Sequence, residues 1–107
     1  MISHLTTHIL DATSGMPASG VEVVLTTTSG DEIARGLTDA DGRLGLGPQV
    51  LAEGDYALVF ATGAYFSSHG VEAFYPQVSV AFTVGGRAHY HVPLLLSPFA
   101  YSTYRGS

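Results

Sequence analysis

Cysteine is absent from the 107-residue chain, and this absence excludes several kinds of chemistry. Disulfide bonds, thiolate nucleophiles and cysteine-ligated zinc sites all need sulfur that the chain lacks. Folding therefore depends on a hydrophobic core without covalent cross-links. A chain of this length can bury roughly two thirds of the surface of its unfolded form, so the sequence predicts a single domain over residues 1–107.

Lysine is also absent, which leaves four arginines as the only permanent side-chain cations: Arg35, Arg43, Arg87 and Arg105. The formal net charge is −5. Binding to nucleic acid without regard to its sequence needs clustered cations that neutralise phosphates, so no nucleic-acid partner is expected. Each arginine can instead be considered separately as a bidentate ligand for an anion.

Long apolar runs are missing as well. No stretch approaches the roughly 20 apolar residues that span a bilayer, and the amino-terminal MISHLTTHIL lacks the basic segment of a signal peptide. The sequence therefore predicts a cytoplasmic protein with no membrane partner.

Alternation of apolar and polar residues predicts strands along nearly the whole chain. In LTTHIL, the residues Leu5, Thr7 and Ile9 share one face, and His8 lies on the other. Further strands are expected in GVEVVLTT, over Glu32 to Leu37, after Arg43, and in YALVFA, QVSVAFTV and RAHYHVPLLLS. Only TGAYFSSHGVEAF lacks this alternation, and one short helix is expected there.

The last two predicted strands are separated by Gly85 and Gly86, a spacing typical of a β-hairpin. In RAHYHVPLLLS one face is apolar, and His89, His91 and Pro93 lie on the opposite face. Proline cannot donate a backbone hydrogen bond, so an edge or a bulge is expected at Pro93. Seven or eight short strands joined by turns predict an all-β antiparallel sandwich.

Outward-facing histidines are the first candidates for chemistry. His8 and His91 each lie opposite an apolar strand face, and with an arginine they would form a polar site. His89 and His91, two residues apart on one strand, could both bind a metal ion. They supply only two ligands where a stable zinc site needs three or four, so no metal site is predicted.

Other catalytic motifs fit the sequence poorly. Asp39 and Asp41 precede Gly42 as in a calcium loop, but the closing glutamate is missing, so TDADGR is predicted to form a turn. GRLGLGP does not have the context of a phosphate-binding loop, and no serine lies in a G-x-S-x-G motif. If the protein is a hydrolase, the nucleophile is expected to be water activated by a histidine.

Four segments resemble one family in the same order along almost the whole chain. They are HILDATSGMPASGVEVVL, TDADGR, FYPQVSVAF and HVPLLLSPFAYSTYRGS. With them the chain resembles the 5-hydroxyisourate hydrolases, the enzymatic branch of the transthyretin-like proteins. The Tyr-Arg-Gly-Ser sequence at Tyr104–Ser107 is the most specific of these marks.

The resemblance implies a transthyretin-like, prealbumin-like Greek-key sandwich of about eight strands and one short helix. It implies catalytic roles for His8, Arg43 and His91. It also implies substrate contacts by Tyr104, Arg105, Gly106 and Ser107. Such proteins are homotetramers with the site where subunits meet, and they use no metal or other cofactor. The implied reaction hydrolyses 5-hydroxyisourate, an oxidised purine, to 2-oxo-4-hydroxy-4-carboxy-5-ureidoimidazoline in urate degradation.

Two other functions are compatible with such a fold. Transthyretin itself binds a small aromatic hormone in a central channel, but that branch lacks the Tyr-Arg-Gly-Ser sequence. A structural sandwich module would have no use for His8, Arg43 and His91 together. Composition alone indicates that YSTYRGS is a fraying tail. The resemblance instead makes it a wall of the site, and predicts that it is held in place.

Overall fold

The structure is a computed structural model that describes residues 3–107; Met1 and Ile2, which the predicted domain includes, lie outside the described residues. Within this range the chain forms nine strands and one helix. In chain order they are β1 Leu5–Asp11, β2 Met16–Pro17, β3 Glu22–Thr27, β4 Glu32–Leu37, β5 Arg43–Leu46, β6 Gly54–Phe60, α1 Thr62–Ser68, β7 Val78–Val84, β8 Tyr90–Ser97 and β9 Ala100–Thr103.

The strands form two sheets that pack as a sandwich. The first sheet has the order β2-β1-β8-β9, with β5 also paired to β1, and the second has the order β4-β3-β6-β7. All pairings are antiparallel except that of β1 with β8, which is parallel. The predicted all-β sandwich with one short helix is confirmed, with this one parallel ladder inside it.

The core lies between the sheets and is made by the alternating residues that the sequence indicates. Leu5 and Ile9 of β1 and Leu58 and Phe60 of β6 are fully buried. Burying one such side chain stabilises the fold by about 1.5–3 kcal/mol. The inward residues of β8 join the same core, so the outward face of that strand carries His91 as predicted.

The predicted hairpin between the last long strands is wrong. β7 belongs to one sheet and β8 to the other, and the connection crosses between them. The hydroxyl of Tyr90 accepts hydrogen bonds from the backbone N–H groups of Gly85, at 2.7 Å, and Arg87, at 3.3 Å. Both strands have an apolar face, and placing them in opposite sheets lets those faces meet in one core. A hairpin would have put them side by side.

Pro93 lies at a local edge without a bulge. The ladder between β1 and β8 runs without interruption past the pair His8–Pro93. On the other side of β8, the pairing with β9 begins only at Leu94. Because Pro93 has no partner in β9, its lack of a backbone N–H leaves no hydrogen bond of that ladder unmade.

Helix α1 is fastened to the first sheet through a buried hydrogen bond. The hydroxyl of Tyr65 donates to Asp11 Oδ2 at 2.9 Å. Burial, assisted by this carboxylate, raises the pKa of Tyr65 to about 12. The other oxygen of Asp11 accepts hydrogen bonds from the backbone of Thr13 and Ser14, so the aspartate joins β1, its following turn and the helix.

No helix within residues 3–107 has the length and apolar character needed to cross a membrane.

Candidate functional site

The turn at Thr38–Arg43 places Arg43 beside His8. Asp39 Oδ1 accepts hydrogen bonds from the backbone N–H groups of Asp41 and Arg43, both at 2.9 Å, which confirms the predicted turn. Gly42 has a φ of 73°, and a Cβ there would lie 2.5 Å from the carbonyl oxygen of Ile9. Only glycine fits this close approach. The chain then enters β5, where Arg43 pairs with His8 across the antiparallel ladder.

The parallel ladder brings the second histidine to the same surface. Thr6 of β1 pairs with His91 of β8, two positions before the His8–Pro93 pair. Thr6, His8 and His91 are all half-buried on the outward face of the sheet, while their neighbours along the strands are buried. Side chains at paired positions point to the same side of a sheet, so the three polar groups share one face with Arg43.

The Thr6 hydroxyl joins two imidazole rings. Thr6 Oγ1 lies 2.8 Å from Nδ1 of His91 and 2.9 Å from Nε2 of His89. The two rings are stacked, with centroids 6.4 Å apart and planes 17° apart. A hydroxyl has one proton, so it donates to one ring and accepts from the other. This fixes the tautomer of each ring relative to the other.

The surroundings of His91 favour its neutral form. Burial lowers the pKa of His91 below its ordinary value of 6.5, and the nearby charges of Arg43, His89 and His8 lower it further. A hydrogen bond with the backbone of Thr6 opposes this effect only in part. At neutral pH the ring therefore holds a free lone pair, as a general base requires.

The carboxy-terminal segment is held against His91. Gly106 donates its backbone N–H to the carbonyl oxygen of His91 at 2.8 Å and forms an isolated bridge with it. A Cβ on Gly106 would lie 2.5 Å from His91 Cδ2, so a side chain there would collide with the ring. The prediction that this segment is held in place is confirmed by these contacts.

These groups surround a cavity of about 310 Å³. Its lining residues are Thr6, Thr7, Asp39, Arg43, Leu44, Gly45, His89, His91 and Ser107. The cavity combines a guanidinium group, two imidazole rings and a hydroxyl on a scaffold of strands. Such an arrangement can bind a small polar molecule, stabilise negative charge on its oxygen atoms and exchange protons with it.

The structure brings together part of the predicted site and separates the rest. Arg43, His91 and Ser107 line the cavity, with His8 beside Arg43 and Gly106 behind His91. Tyr104 instead lines a second cavity of about 280 Å³ between β7 and β8. Arg105 lines that second cavity and also a third groove next to Ser107.

Thr6 and His89 line the cavity, but neither was predicted to belong to the site. His89 was considered only as a metal ligand, and Thr6 was not singled out. The two-residue spacing of Thr6 and His8 was a usable signal, because it places both on the face that carries the chemistry. The hydrogen bonds to Thr6 could not be read from the sequence, since His89 and His91 are 83 and 85 residues away from it.

In the described part of the chain, no group of three or more histidine, cysteine, aspartate or glutamate side chains is placed to hold a metal ion.

The fold and site define a transthyretin-like β-sandwich with a polar, histidine-containing cavity. Residues 5–106 match the sequence profile of the HIUase/Transthyretin family, and the chain belongs to this family. The predicted resemblance is thereby confirmed.

Known relatives and solved structures agree with this membership. The chain is 48% identical to 5-hydroxyisourate hydrolase of Salmonella typhimurium over 109 residues, which cover 96% of this chain and 80% of the relative. The structure of Klebsiella pneumoniae 5-hydroxyisourate hydrolase is similar with a TM-score of 0.90 and 40% identity, covering 98% and 100% of the two chains. Sea bream transthyretin in complex with thyroxine has a TM-score of 0.86 and 35% identity, covering 96% and 94%.

Proposed function

We propose that this protein hydrolyses 5-hydroxyisourate to 2-oxo-4-hydroxy-4-carboxy-5-ureidoimidazoline in urate degradation, with His8, Arg43 and His91 as catalytic residues. One observation carries the proposal: Arg43 and His91 line a single cavity, with His8 paired to Arg43. The chain that presents this cavity is 48% identical to a 5-hydroxyisourate hydrolase.

The reaction needs one water molecule and two proton transfers. The water oxygen bonds to a carbonyl carbon of the six-membered ring while the water gives up a proton. The bond from that carbon to the ring nitrogen then breaks, and the nitrogen takes a proton. The new carboxylic acid ionises at neutral pH, so the product leaves as a carboxylate.

Arg43 binds the carbonyl group that water attacks. Its guanidinium group can donate two parallel hydrogen bonds to the flat, oxygen-rich substrate and hold it against the sheet. As water adds, negative charge develops on the carbonyl oxygen, and the guanidinium stabilises that charge.

His91 activates the water, and His8 protonates the departing nitrogen. The sequence alone did not show which of the two histidines acts as the base and which as the acid. The lowered pKa of His91 supports the assignment, because it keeps the ring neutral and able to accept a proton at neutral pH. His8 lies opposite Arg43 and is therefore close to the bond that breaks.

Thr6 and His89 form a relay behind His91. When Nε2 of His91 accepts the proton of water, its Nδ1–H can donate to the Thr6 hydroxyl, which in turn donates to Nε2 of His89. His89 is exposed and can exchange protons with solvent. In this arrangement Thr6 accepts from Nδ1–H of His91, which leaves Nε2 of that ring free to accept the proton of water.

The carboxy-terminal residues complete substrate binding. Ser107 lines the cavity, and Gly106 leaves room for the His91 ring. Arg105 contacts substrate from the adjoining groove that it shares with Ser107. Tyr104 contacts substrate in an assembled homotetramer, in which a neighbouring subunit brings it to the site. Exposed large side chains on and around β9 support such an assembly, namely Leu95, Phe99, Tyr101 and Tyr104. The cytoplasmic location stays a prediction.

A transthyretin-like binding function is the second candidate, supported by the similarity to the sea bream thyroxine complex. The cavity argues for the hydrolase, because binding an aromatic hormone needs no neutral histidine held in one tautomer by a hydroxyl.

The catalytic assignments are tested by His91→Ala and His8→Asn. The substrate is prepared fresh from urate with a urate oxidase, and the decay of its ultraviolet absorbance is followed with each protein. Each variant should lose at least about 100-fold in kcat, the contribution of a general acid or base. Wild-type rates from either variant would remove that residue from the mechanism, and Arg35→Gln, on the other sheet, serves as the unaffected control.

A further inference from the structure

A third groove, about 450 Å³ in volume, adjoins the catalytic cavity. It is lined by Arg87, Ala88, His89, Arg105, Gly106 and Ser107. His89 and Ser107 line the catalytic cavity as well, so the two spaces adjoin each other at these residues.

The groove concentrates positive charge in an acidic chain. The chain has four arginines and a formal charge of −5, and two of the arginines line this one groove. None of the six lining side chains is acidic. Among residues 3–107, Arg35 forms ion pairs, with Glu22 at 3.2 Å and Glu32 at 2.6 Å, whereas Arg87 and Arg105 form none.

The backbone of Arg87 is fixed by buried groups. Its carbonyl oxygen accepts a hydrogen bond from Nε2 of His4 at 2.8 Å, and its N–H donates to the Tyr90 hydroxyl. His4 is buried, and its Nδ1 accepts from the backbone N–H of Leu51 at 2.8 Å. The Arg87 side chain therefore projects from a rigid point next to the groove, which reduces the cost of ordering it around a ligand.

We propose that Arg87 and Arg105 form an anion site that takes the carboxylate of the reaction product as it leaves the catalytic cavity. This inference rests on the proposed function, because ring opening is the step that creates the carboxylate. A guanidinium pair binds a carboxylate through charge-assisted, bidentate hydrogen bonds. The ligand class is a small carboxylate that carries a ureido group.

The test uses N-carbamoylglycine, a stable ureido carboxylate, and its neutral amide as probes. Binding to the full protein is measured by calorimetry with wild type, Arg87→Gln and Arg35→Gln. Both variants remove one positive charge, but only Arg87 faces the groove. Wild type and Arg35→Gln should bind the carboxylate equally, Arg87→Gln should bind it at least about fivefold more weakly, and the amide should not bind.

The anion site would be contradicted if wild type and Arg87→Gln bound N-carbamoylglycine with equal affinity. It would also be contradicted if Arg87→Gln and Arg35→Gln lost affinity equally. Thermal unfolding of Arg87→Gln shows whether the variant is folded. Arg87→Lys keeps the positive charge but loses the planar guanidinium group, so its affinity for the carboxylate should lie between those of wild type and Arg87→Gln. Because binding of the probe is measured without turnover, failure of the anion site can be distinguished from failure of the proposed hydrolase activity. A protein that binds the probe through Arg87 but does not hydrolyse 5-hydroxyisourate would contradict the proposed function and not the groove.

Discussion

At the scale of single residues, Arg43 affects His91 in addition to its proposed role in binding substrate. Its charge lowers the pKa of His91, second in effect to burial. Arg43→Gln should therefore raise that pKa. If the neutral His91 ring is the base, as proposed, the acidic limb of the pH profile of kcat/KM should move to higher pH, with kcat also falling about 100-fold.

The profile is measured from pH 5 to 8 after subtracting spontaneous decay of the substrate. Arg35→Gln, which removes a charge paired with Glu22 and Glu32, should leave the acidic limb in place. An unchanged limb in Arg43→Gln would show that His91 is not the base.

Gly106 gives a second prediction at this scale. Gly106→Ala places a methyl group 2.5 Å from the His91 ring, so the ring or the segment must move. Displacement of a catalytic group by about 1 Å can cost 100-fold, and we expect a loss of at least tenfold in kcat. Gly86→Ala is the matched control, because its Cβ would meet nothing within 4 Å.

Gly86→Ala should keep wild-type activity, and its free energy of unfolding should remain within about 0.5 kcal/mol of the wild-type value. Full activity in Gly106→Ala would mean that His91 does not depend on this close contact.

At the scale of elements, the pairing of β1 with β8 brings Thr6 next to His91. A substitution of Thr6 therefore tests whether this contact matters for activity. Thr6→Val keeps the shape of the side chain but removes the hydroxyl between His89 and His91. We expect kcat to fall about tenfold, with thermal stability changing by no more than about 1 kcal/mol. Thr6→Ser should restore most of the activity, and a fully active Thr6→Val would exclude the relay.

Alternation predicted seven of the nine strands and the outward direction of His8 and His91, because side-chain direction depends only on local backbone geometry. It missed the short strands β2 and β9. Strand partners depend on the whole chain, so two glycines between β7 and β8 were misread as a hairpin turn. The contact of Thr6 with His89 was unpredictable for the same reason, since it exists only in the parallel register.

At the scale of the whole molecule, the proposed homotetramer would account for the position of Tyr104. Tyr104 lines a different cavity from Arg43 within one chain. If a homotetramer forms the complete site, sedimentation should give the mass of four chains, and activity per chain should fall when dilution dissociates them. A monomer with full activity would contradict the shared site and leave catalysis to one chain.

The activity proposed for this molecule is the ring opening of 5-hydroxyisourate. To test it, the substrate is generated from urate with a urate oxidase, the protein is added and the ultraviolet absorbance is followed. We expect decay much faster than the spontaneous rate, in proportion to the protein added, with the carboxylated ureidoimidazoline as the first product. Decay at the spontaneous rate would contradict the hydrolase activity.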